Sequence, residues 1–231
     1  MVFIGILRRP NMIREIVDFI FPRFCHNCFR GKAFLCRTCL KKMPPVELRC
    51  IVCSRKNPFG LICPSCKTKY GPDFALAAFK FQGSLRRLIH EFKYEDSSSL
   101  SSAFAPELVR LIIKSLAYRG YKIVPLPLTK RKLRFRGYNQ SLLLARGVSR
   151  SLNLELTDVI LRDEAAQTQV QSASRKERIK NIKGVFSLKG KPPEKVILID
   201  DVITSGATVR EATKMLKRAG TKKVAVFAIA M

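Results

Sequence analysis

Apolar residues recur along this chain in two kinds of pattern, and the order of these patterns predicts the fold. Short runs without polar residues, of which Val196–Ile199 is the clearest, are typical of strands buried in a parallel sheet. Segments with apolar residues at every third or fourth position, such as Ser84–Tyr94, are typical of helices with one buried face. Because both kinds alternate from residue 73 onward, the sequence predicts an α/β domain with a parallel, Rossmann-like sheet flanked by helices.

Individual elements of this domain can be placed from the same patterns and from turn residues between them. The predicted strands are Phe74–Phe81, Ile123–Leu126, Asp158–Arg162, Val196–Ile199 and Val224–Ala230. The predicted helices are Ser84–Tyr94, Pro106–Tyr118, Asn139–Leu152 and Val209–Ala219. The serine-rich stretch Ser97–Ser102 is expected to be a loop, and Arg175–Ile182 a turn of helix within a long basic connection.

Two further regions precede the α/β domain. Residues 1–22 carry an apolar stripe typical of an amphipathic helix, which we expect to dock on the protein rather than lie on a membrane. Residues 23–72 contain all eight cysteines and end at the turn residues Gly71 and Pro72. The sequence therefore predicts three parts, with bounds 1–22, 23–72 and 73–231.

The cysteines form four CxxC pairs within an internal repeat, in which FCHNCFRGKAFLCRTCLKK aligns with RCIVCSRKNPFGLICPSCKTK. Two CxxC pairs supply the four thiolates of a tetrahedral zinc site, so this spacing predicts a double zinc ribbon with two zinc ions. Without a credible signal peptide we expect a reducing, cytoplasmic setting, which favours metal over disulfides or an iron–sulfur cluster. The repeat favours two sequential sites over a cross-braced pairing, and the sequential ligands are Cys25, Cys28, Cys36 and Cys39, then Cys50, Cys53, Cys63 and Cys66.

Charge adds a second expectation, because 44 Lys and Arg residues face only 17 Asp and Glu residues, a formal net charge of +27. Such an excess favours an anionic partner, first nucleic acid, then a membrane surface or phosphorylated small molecules, although in heat-adapted proteins many cations only solvate the surface. The basic segments are Lys130–Arg136 and Arg175–Lys183. Cations interleaved with aromatic residues suit a single strand. The candidate contacts are Lys130, Arg131, Lys132, Arg134, Arg136, Tyr138, Arg175, Lys176 and Arg178.

The segment VILIDDVITSGAT, residues 196–208, contains the most specific pattern in the chain. A buried strand ends near Asp200 and Asp201, and a loop of small and hydroxyl residues leads into a helix whose N-terminus can bind an anion. Two carboxylates would repel a phosphate but accept hydrogen bonds from a vicinal diol, so the pair predicts a 5-phosphorylated ribose. The alternative is that the two acids only cap the helix. The phosphate-binding candidates are Thr204, Ser205, Gly206, Ala207 and Thr208.

This segment resembles the phosphoribosyl pyrophosphate (PRPP) signature of the type I phosphoribosyltransferase family. The resemblance implies that Asp200 and Asp201 are the diol-binding, candidate catalytic acids, and that PRPP or ribose 5-phosphate binds, with Mg²⁺ as a candidate companion. It also implies a pyrophosphate loop after Ile123–Pro127, leading into Thr129–Arg136, and a mobile basic loop at Gln167–Lys183. Within that loop, the resemblance assigns Arg175, Lys176 and Arg178 to neutralising pyrophosphate.

The order of segments across residues 12–231 resembles the ComF family, in which a double zinc ribbon precedes FKFQGSLRRLIHEFKY, VPLPLTKRKLRFRGYNQS and VILIDDVITSGAT. The resemblance implies a cytoplasmic bacterial protein that handles single-stranded DNA during natural transformation. A helicase-like competence protein and the uptake machinery at the inner membrane are its implied partners. Two other functions stay open: an active phosphoribosyltransferase acting on a nucleobase-like acceptor, and a regulator that senses PRPP without turnover.

Overall fold

A computed structural model of the chain describes residues 23–31, 33–57, 60–95, 97–115, 117–163 and 184–231. The predicted N-terminal helix at 1–22 and the basic connection at Arg175–Ile182 lie outside this set. The chain divides into two compact units, Met1–Lys42 and Met43–Met231. This division differs from the predicted boundary after Pro72, because the second group of four cysteines belongs to the same unit as the α/β part.

The first unit has little regular structure among its described residues. Helix α1 covers Arg37–Lys41, and the Cys36 side chain at its N-terminus accepts a hydrogen bond from the Cys39 backbone N–H. The Phe34 ring packs against His26, with centroids 6.4 Å apart, and against the Arg23 guanidinium at 5.9 Å. A module of this size cannot bury enough apolar surface by itself, which makes a structural metal the expected source of its stability.

The second unit contains a four-stranded parallel sheet. Its strands are β1 (Phe74–Phe79), β2 (Lys122–Pro125), β5 (Lys195–Val202) and β6 (Lys223–Ala230), in the order β1-β6-β5-β2. Pairs such as Pro125↔Ile199 and Asp200↔Ala228 set the register. Strands β3 (Ile160–Arg162) and β4 (Phe186–Leu188) form a separate antiparallel pair. The parallel sheet confirms the predicted fold class, whereas β4 and its pairing were not predicted.

Helices flank this sheet and bury their apolar faces. They are α2 (Gly83–Tyr94), α3 (Leu100–Ser115), α4 (Lys130–Arg136), α5 (Gln140–Leu152) and α6 (Ala207–Arg218), with a short 3-10 helix at Pro64–Cys66. Helices α3 and α5 approach closely at Gly147, where a Cβ would stand 2.5 Å from the Ala105 Cβ. None of the helices in the described ranges is long and apolar enough to cross a membrane.

Helix α3 begins six residues earlier than predicted, at Leu100 rather than Pro106. The prediction of a loop over Ser97–Ser102 is therefore wrong in its second half. Leu100 and Phe104 are fully buried, and their burial stabilises a helical turn that the serines alone would not favour. Pro106 lies inside this helix, where it removes the backbone hydrogen bond that its N–H would have made to residue 102.

The basic segment Lys130–Arg136, into which the implied pyrophosphate loop leads, is helix α4. The Thr129 hydroxyl accepts a hydrogen bond from the Lys132 backbone N–H at 3.2 Å, and Gly137 ends the helix with a left-handed φ of 75°. Between these two caps lie Lys, Arg and Leu, which favour helix, with a single Phe. No helix was predicted at Lys130–Arg136, and the local capping residues were the signal that could have indicated one.

Candidate metal centres and ribose-phosphate site

The eight cysteine sulfurs gather into two groups that follow the order of the sequence. The ligand atoms of Cys25, Cys28, Cys36 and Cys39 all lie within 4.8 Å of one another, as do those of Cys50, Cys53 and Cys66. Cys63 joins the second group, with its Sγ 3.8 Å from that of Cys53. This arrangement is sequential rather than cross-braced, and none of the eight cysteines, all of which are described, forms a disulfide.

Sulfur spacing in both groups fits zinc. The Cys28 and Cys36 sulfurs are 3.8 Å apart, the same separation as in the Cys53 and Cys63 pair. Four thiolates with Zn–S bonds of about 2.3 Å in a tetrahedron have sulfurs about 3.8 Å apart. The first group can therefore hold a structural zinc ion with four sulfur ligands, and the second offers three mutually close sulfurs with the Cys63 sulfur beside that of Cys53.

The first cysteine of each group has a lowered pKa, which favours its thiolate form. Burial opposes ionisation of Cys25, but backbone N–H groups of Cys36, Cys28 and Asn27 outweigh it and lower its pKa to about 6. Cys50 behaves in the same way, because the N–H groups of Cys53, Cys63 and Val52 outweigh burial and lower its pKa to about 6. Backbone N–H groups aimed at the sulfur are typical of zinc knuckles, where they stabilise thiolate ligands.

The second cysteine group lies directly against the predicted phosphate loop. Gly206 has a left-handed φ of +68°, and a Cβ at this position would come 3.1 Å from the backbone oxygen of Ile51, within the third CxxC pair. Both features favour glycine here, the first through backbone strain and the second through lack of space. The metal-binding ribbon therefore forms one wall behind the loop.

The two acids stand at the carboxyl end of β5, at the edge of the sheet where ligands bind in α/β folds. The Asp200 Oδ1 accepts two hydrogen bonds, from the Ser141 hydroxyl at 3.1 Å and from the Asp201 backbone N–H at 2.8 Å. The Asp201 Oδ2 pairs with the Lys93 Nζ of α2 at 3.1 Å. Since both side chains of the Lys93–Asp201 pair are mostly buried, the pair also orients the Asp201 carboxylate.

Asp200 holds its proton far more tightly than an ordinary aspartic acid. Burial raises its pKa to about 7, and the neighbouring Asp201 charge adds to the rise. The Asp201 N–H, Lys93 and the Ser141 hydroxyl act in the opposite direction but do not cancel it. A carboxyl group with such a pKa can accept or donate a hydrogen bond near neutral pH, as contact with a diol requires.

The loop after β5 offers an anion several donors. Gly206 precedes α6 and carries no side chain to cap this helix, so backbone N–H groups of the first turn beyond Ala207 can face a phosphate. The Ser205 hydroxyl accepts a weak hydrogen bond from the Ala207 N–H at 3.4 Å. Thr204 is exposed and Thr208 half-buried, so both hydroxyls can reach a ligand.

The cations of α4 divide into two groups. Lys132 interacts electrostatically with the charges of the site. Burial and the nearby cations Arg162, Arg136 and Lys93 lower its pKa, whereas the charge of Asp201 raises it. Arg136 turns back onto α2, where it donates to the Tyr94 hydroxyl at 3.0 Å and lies over the Tyr94 ring at 4.8 Å. Lys130, Arg131, Lys132 and Arg134 are all exposed on the surface of the helix.

Two more predictions about basic segments have different outcomes. The Tyr138 hydroxyl donates to the Phe92 backbone oxygen at 2.8 Å, and its ring packs on Phe92, so this residue anchors α2 to the start of α5. Arg175, Lys176 and Arg178 lie outside the described residues.

Three residues of the site escaped the sequence interpretation. Lys93, Ser141 and Arg162 come from α2, α5 and β3, and each contacts or electrostatically influences one of the two acids. None of the three belongs to a local sequence motif that predicts an interaction with the two acids. Only the folded sheet brings them to its carboxyl edge.

Comparisons with known proteins agree with this geometry. A family model described as the phosphoribosyl transferase domain matches residues 139–230. Competence protein F of Haemophilus influenzae is 28% identical over 228 residues, which are 94% of this chain and 87% of that protein. The DNA utilization protein YhgH of Escherichia coli strain K12 is 29% identical over 220 residues, covering 90% and 96%. Competence protein ComFC of Streptococcus pneumoniae is 30% identical over 155 residues, 66% of each chain.

Solved structures give a weaker likeness. Glutamine phosphoribosylpyrophosphate amidotransferase from B. subtilis aligns with 59% of this chain at 16% identity and a TM-score of 0.39, and the aligned part spans 29% of that protein's length. The fold assignment therefore rests on the family model and on the parallel strand order.

Proposed function

The chain belongs to the ComF family, whose members combine zinc ribbons with a phosphoribosyltransferase-like domain, and from this premise we propose that it handles single-stranded DNA in natural transformation. The names of its relatives, competence proteins and DNA utilization proteins, support this role. A helicase-like protein and the uptake machinery at the inner membrane are the proposed partners, and the cytoplasm the proposed location.

The observation that carries the proposal is a surface of aromatic rings and cations, here called the α2–α4 surface and formed by His90, Tyr94, Phe135 and the exposed cations of α4. Phe135 is 78% exposed, an unusual state for so large an apolar side chain. Its ring lies 6.2 Å from that of Tyr94, which in turn stacks near His90 at 4.8 Å. Single-stranded nucleic acids bind such surfaces because bases stack on rings while phosphates meet Lys and Arg.

A salt titration with a labelled oligothymidine tests this role. We expect binding that weakens steeply with salt, and Phe135→Ala to weaken it roughly tenfold, because stacking of one base contributes roughly 1–3 kcal/mol. Ile113→Ala is the matched control, since Ile113 is also exposed, at 54%, but lies on α3 outside the α2–α4 surface.

Charge removal on α4 gives a second measure of the same surface. The Lys130→Gln/Arg134→Gln variant should lower the dependence of log affinity on log salt by about 0.7 for each phosphate that these side chains neutralise in the wild type. Binding that ignores both salt and Phe135→Ala would contradict the proposed role.

We further propose that the Asp200–Asp201 edge binds a ribose 5-phosphate group, as in PRPP, with Mg²⁺ as a candidate companion ion. Its support is the geometry of two acids beside an uncapped helix N-terminus. DNA lacks the 2′-hydroxyl of a vicinal diol, so this site and the α2–α4 surface suit different ligands. Ribose 5-phosphate should bind in calorimetry and lose affinity in Asp201→Asn, whereas 2-deoxyribose 5-phosphate should bind no better to the wild type than to that variant.

Phosphoribosyl transfer is the second candidate function, favoured by the same two acids. The carboxylates would stabilise positive charge developing on the ribose as pyrophosphate leaves. Release of pyrophosphate from PRPP that depends on an added nucleobase, and that disappears in Asp200→Asn/Asp201→Asn, would establish this activity. Binding of PRPP without turnover would instead favour a sensing role.

A further inference from the structure

Arg136, the last residue of α4, joins the α2–α4 surface to helix α5. Its Nη2 donates to the Tyr94 hydroxyl at 3.0 Å, and its Nη1 donates to the Gln140 Oε1 at 3.1 Å. The guanidinium also lies over the Tyr94 ring at 4.8 Å. Because Tyr94 ends α2 and Gln140 begins α5, this one side chain links three helices.

The residue before Tyr94 contacts the candidate ribose-phosphate site. The Lys93 Nζ pairs with the Asp201 Oδ2 at 3.1 Å, and both side chains are mostly buried. The last turn of α2 therefore presents an aromatic ring to the α2–α4 surface and an ammonium group to one of the two acids. A movement of this turn would affect both places.

The residue after Gln140 contacts the other acid. The Ser141 hydroxyl donates to the Asp200 Oδ1 at 3.1 Å. Gln140 is buried, and its Nε2 donates to the Phe92 backbone oxygen in the last turn of α2 at 3.0 Å. These contacts close a ring between the two acids and the α2–α4 surface, here called the Arg136 network and formed by Lys93, Tyr94, Arg136, Gln140 and Ser141.

The Arg136 guanidinium leaves one donor unused in this arrangement. Its Nε is buried and has no hydrogen-bond partner within the part of the chain that the structure describes. An unpaired buried donor costs free energy, so a second arrangement of the guanidinium that pairs this donor can lie close in energy. Coupling between two sites requires an element with two such states, which the two ligands favour differently.

We propose that Arg136 couples the candidate ribose-phosphate site to the α2–α4 surface, so that a ribose bound at the two acids weakens the binding of single-stranded DNA. This coupling rests on both proposed ligands and adds a relation between them. Hydroxyls of the diol compete with Lys93 and Ser141 for the acid oxygens, and loss of these contacts frees the helix ends that hold Arg136. The Tyr94 ring then loses the fixed position that base stacking needs. Arg136 is a positioning residue, and no chemical step is assigned to it.

Calorimetry on the full-length, zinc-loaded protein tests the proposal by measuring the affinity for oligothymidine with and without saturating ribose 5-phosphate at constant ionic strength. In the wild type, ribose 5-phosphate should weaken the binding of oligothymidine at least about fivefold, the lower end of coupling between two sites. Because such coupling is reciprocal, oligothymidine should weaken the binding of ribose 5-phosphate by the same factor. Inorganic phosphate at the same concentration should leave the affinity for oligothymidine unchanged, because it brings a similar charge but no diol.

Arg136→Lys should remove most of this coupling, because an ammonium group keeps the charge but not the fork that reaches Tyr94 and Gln140 together. Arg134→Lys is the matched control, since Arg134 is an exposed arginine of the same helix outside the Arg136 network. This variant should keep the coupling factor of the wild type. Tyr94→Phe retains the ring for stacking but removes the hydroxyl that Arg136 contacts, so it should also reduce the coupling, and it provides the test if Arg136→Lys lowers the Tm.

The outcomes separate this inference from the functions on which it rests. Binding of both ligands without mutual effect overturns the coupling and leaves both proposed ligands in place. A coupling factor that is unchanged in Arg136→Lys and Tyr94→Phe overturns the role of Arg136. Equal weakening by inorganic phosphate overturns it too, because charge repulsion alone then explains the effect. A wild type that binds oligothymidine but not ribose 5-phosphate overturns the coupling together with the diol site, and one that does not bind oligothymidine overturns it together with the role in DNA handling.

Discussion

The Asp200→Asn variant should become more stable than the wild type as pH rises. Burial and the charge of Asp201 raise the pKa of Asp200 from an ordinary 3.8 to about 7, so the folded chain holds a proton that the unfolded chain releases. Stability from this group is therefore present at acid pH and falls as pH rises from about 4 to about 7. Asparagine stays neutral and keeps an oxygen for the Ser141 and Asp201 donors, so it escapes this loss.

The magnitude follows from the size of the shift. Each pH unit well between the two pKa values costs the wild type about 1.4 kcal/mol of unfolding free energy. Because the group is half ionised in the folded chain at pH 7, the advantage of Asp200→Asn should grow by roughly 2.3 kcal/mol from pH 5 to pH 7. Above pH 7 the difference should level off near about 4 kcal/mol, an upper limit because solvent and neighbouring cations relax around a real carboxylate.

Urea unfolding followed by tyrosine fluorescence measures this difference. The chain has no tryptophan, and its five tyrosines all lie within residues 43–231, so the signal reports on the unit that contains Asp200. The control is Asp158→Asn, because Asp158 is an exposed acid paired with Lys189 at 3.1 Å. If Asp200→Asn and the wild type lose or gain stability in parallel from pH 5 to pH 8, the pKa of Asp200 is not raised by folding.

Two further predictions concern the metal centres and the phosphate loop. Cys28→Ser and Cys63→Ser should each reduce bound zinc from about two ions per chain to about one, as measured by mass spectrometry of the metal. Only Cys63→Ser should lower the Tm followed by tyrosine fluorescence. Equal effects of both variants on the Tm would contradict the division into two units. Gly206→Ala should destabilise the protein by more than the roughly 1–2 kcal/mol of left-handed backbone strain, because its Cβ would also press on the Ile51 oxygen. Gly137→Ala, with the same sign of φ but open space around it, should lose only that strain in urea unfolding; similar losses for both would show that the Ile51 contact carries no weight.

The elements that the sequence predicted well are those whose signal is local. The apolar run before Asp200 predicted β5, and the helical spacing of Leu85, Leu88 and Phe92 predicted α2, because burial against the sheet depends on the periodicity of each segment alone. The CxxC spacing likewise predicted both sulfur groups, since each knuckle positions its own two ligands.

The features that the sequence did not predict depend on contacts between residues that are distant in the sequence. Lys93 contacts Asp201 across a sequence separation of 108 residues, and Ser141 contacts Asp200 across 59 residues. The spacing of residues within a single element therefore predicts neither contact. The short strand β4 has only three residues and pairs with β3 in the opposite direction to the main sheet. Helix α3 begins at Leu100 because the burial of this residue outweighs the preference of the neighbouring serines for a turn.

The close approach of Gly206 to Ile51 joins two parts of the protein that could otherwise have changed separately over time. A bulkier residue in the loop needs room that only a shift of the metal knuckle can provide, and a shifted knuckle alters the loop in return. A substitution at one of these places therefore favours a compensating change at the other. A lineage that loses its second cysteine group would have to support the loop at Gly206 with other side chains.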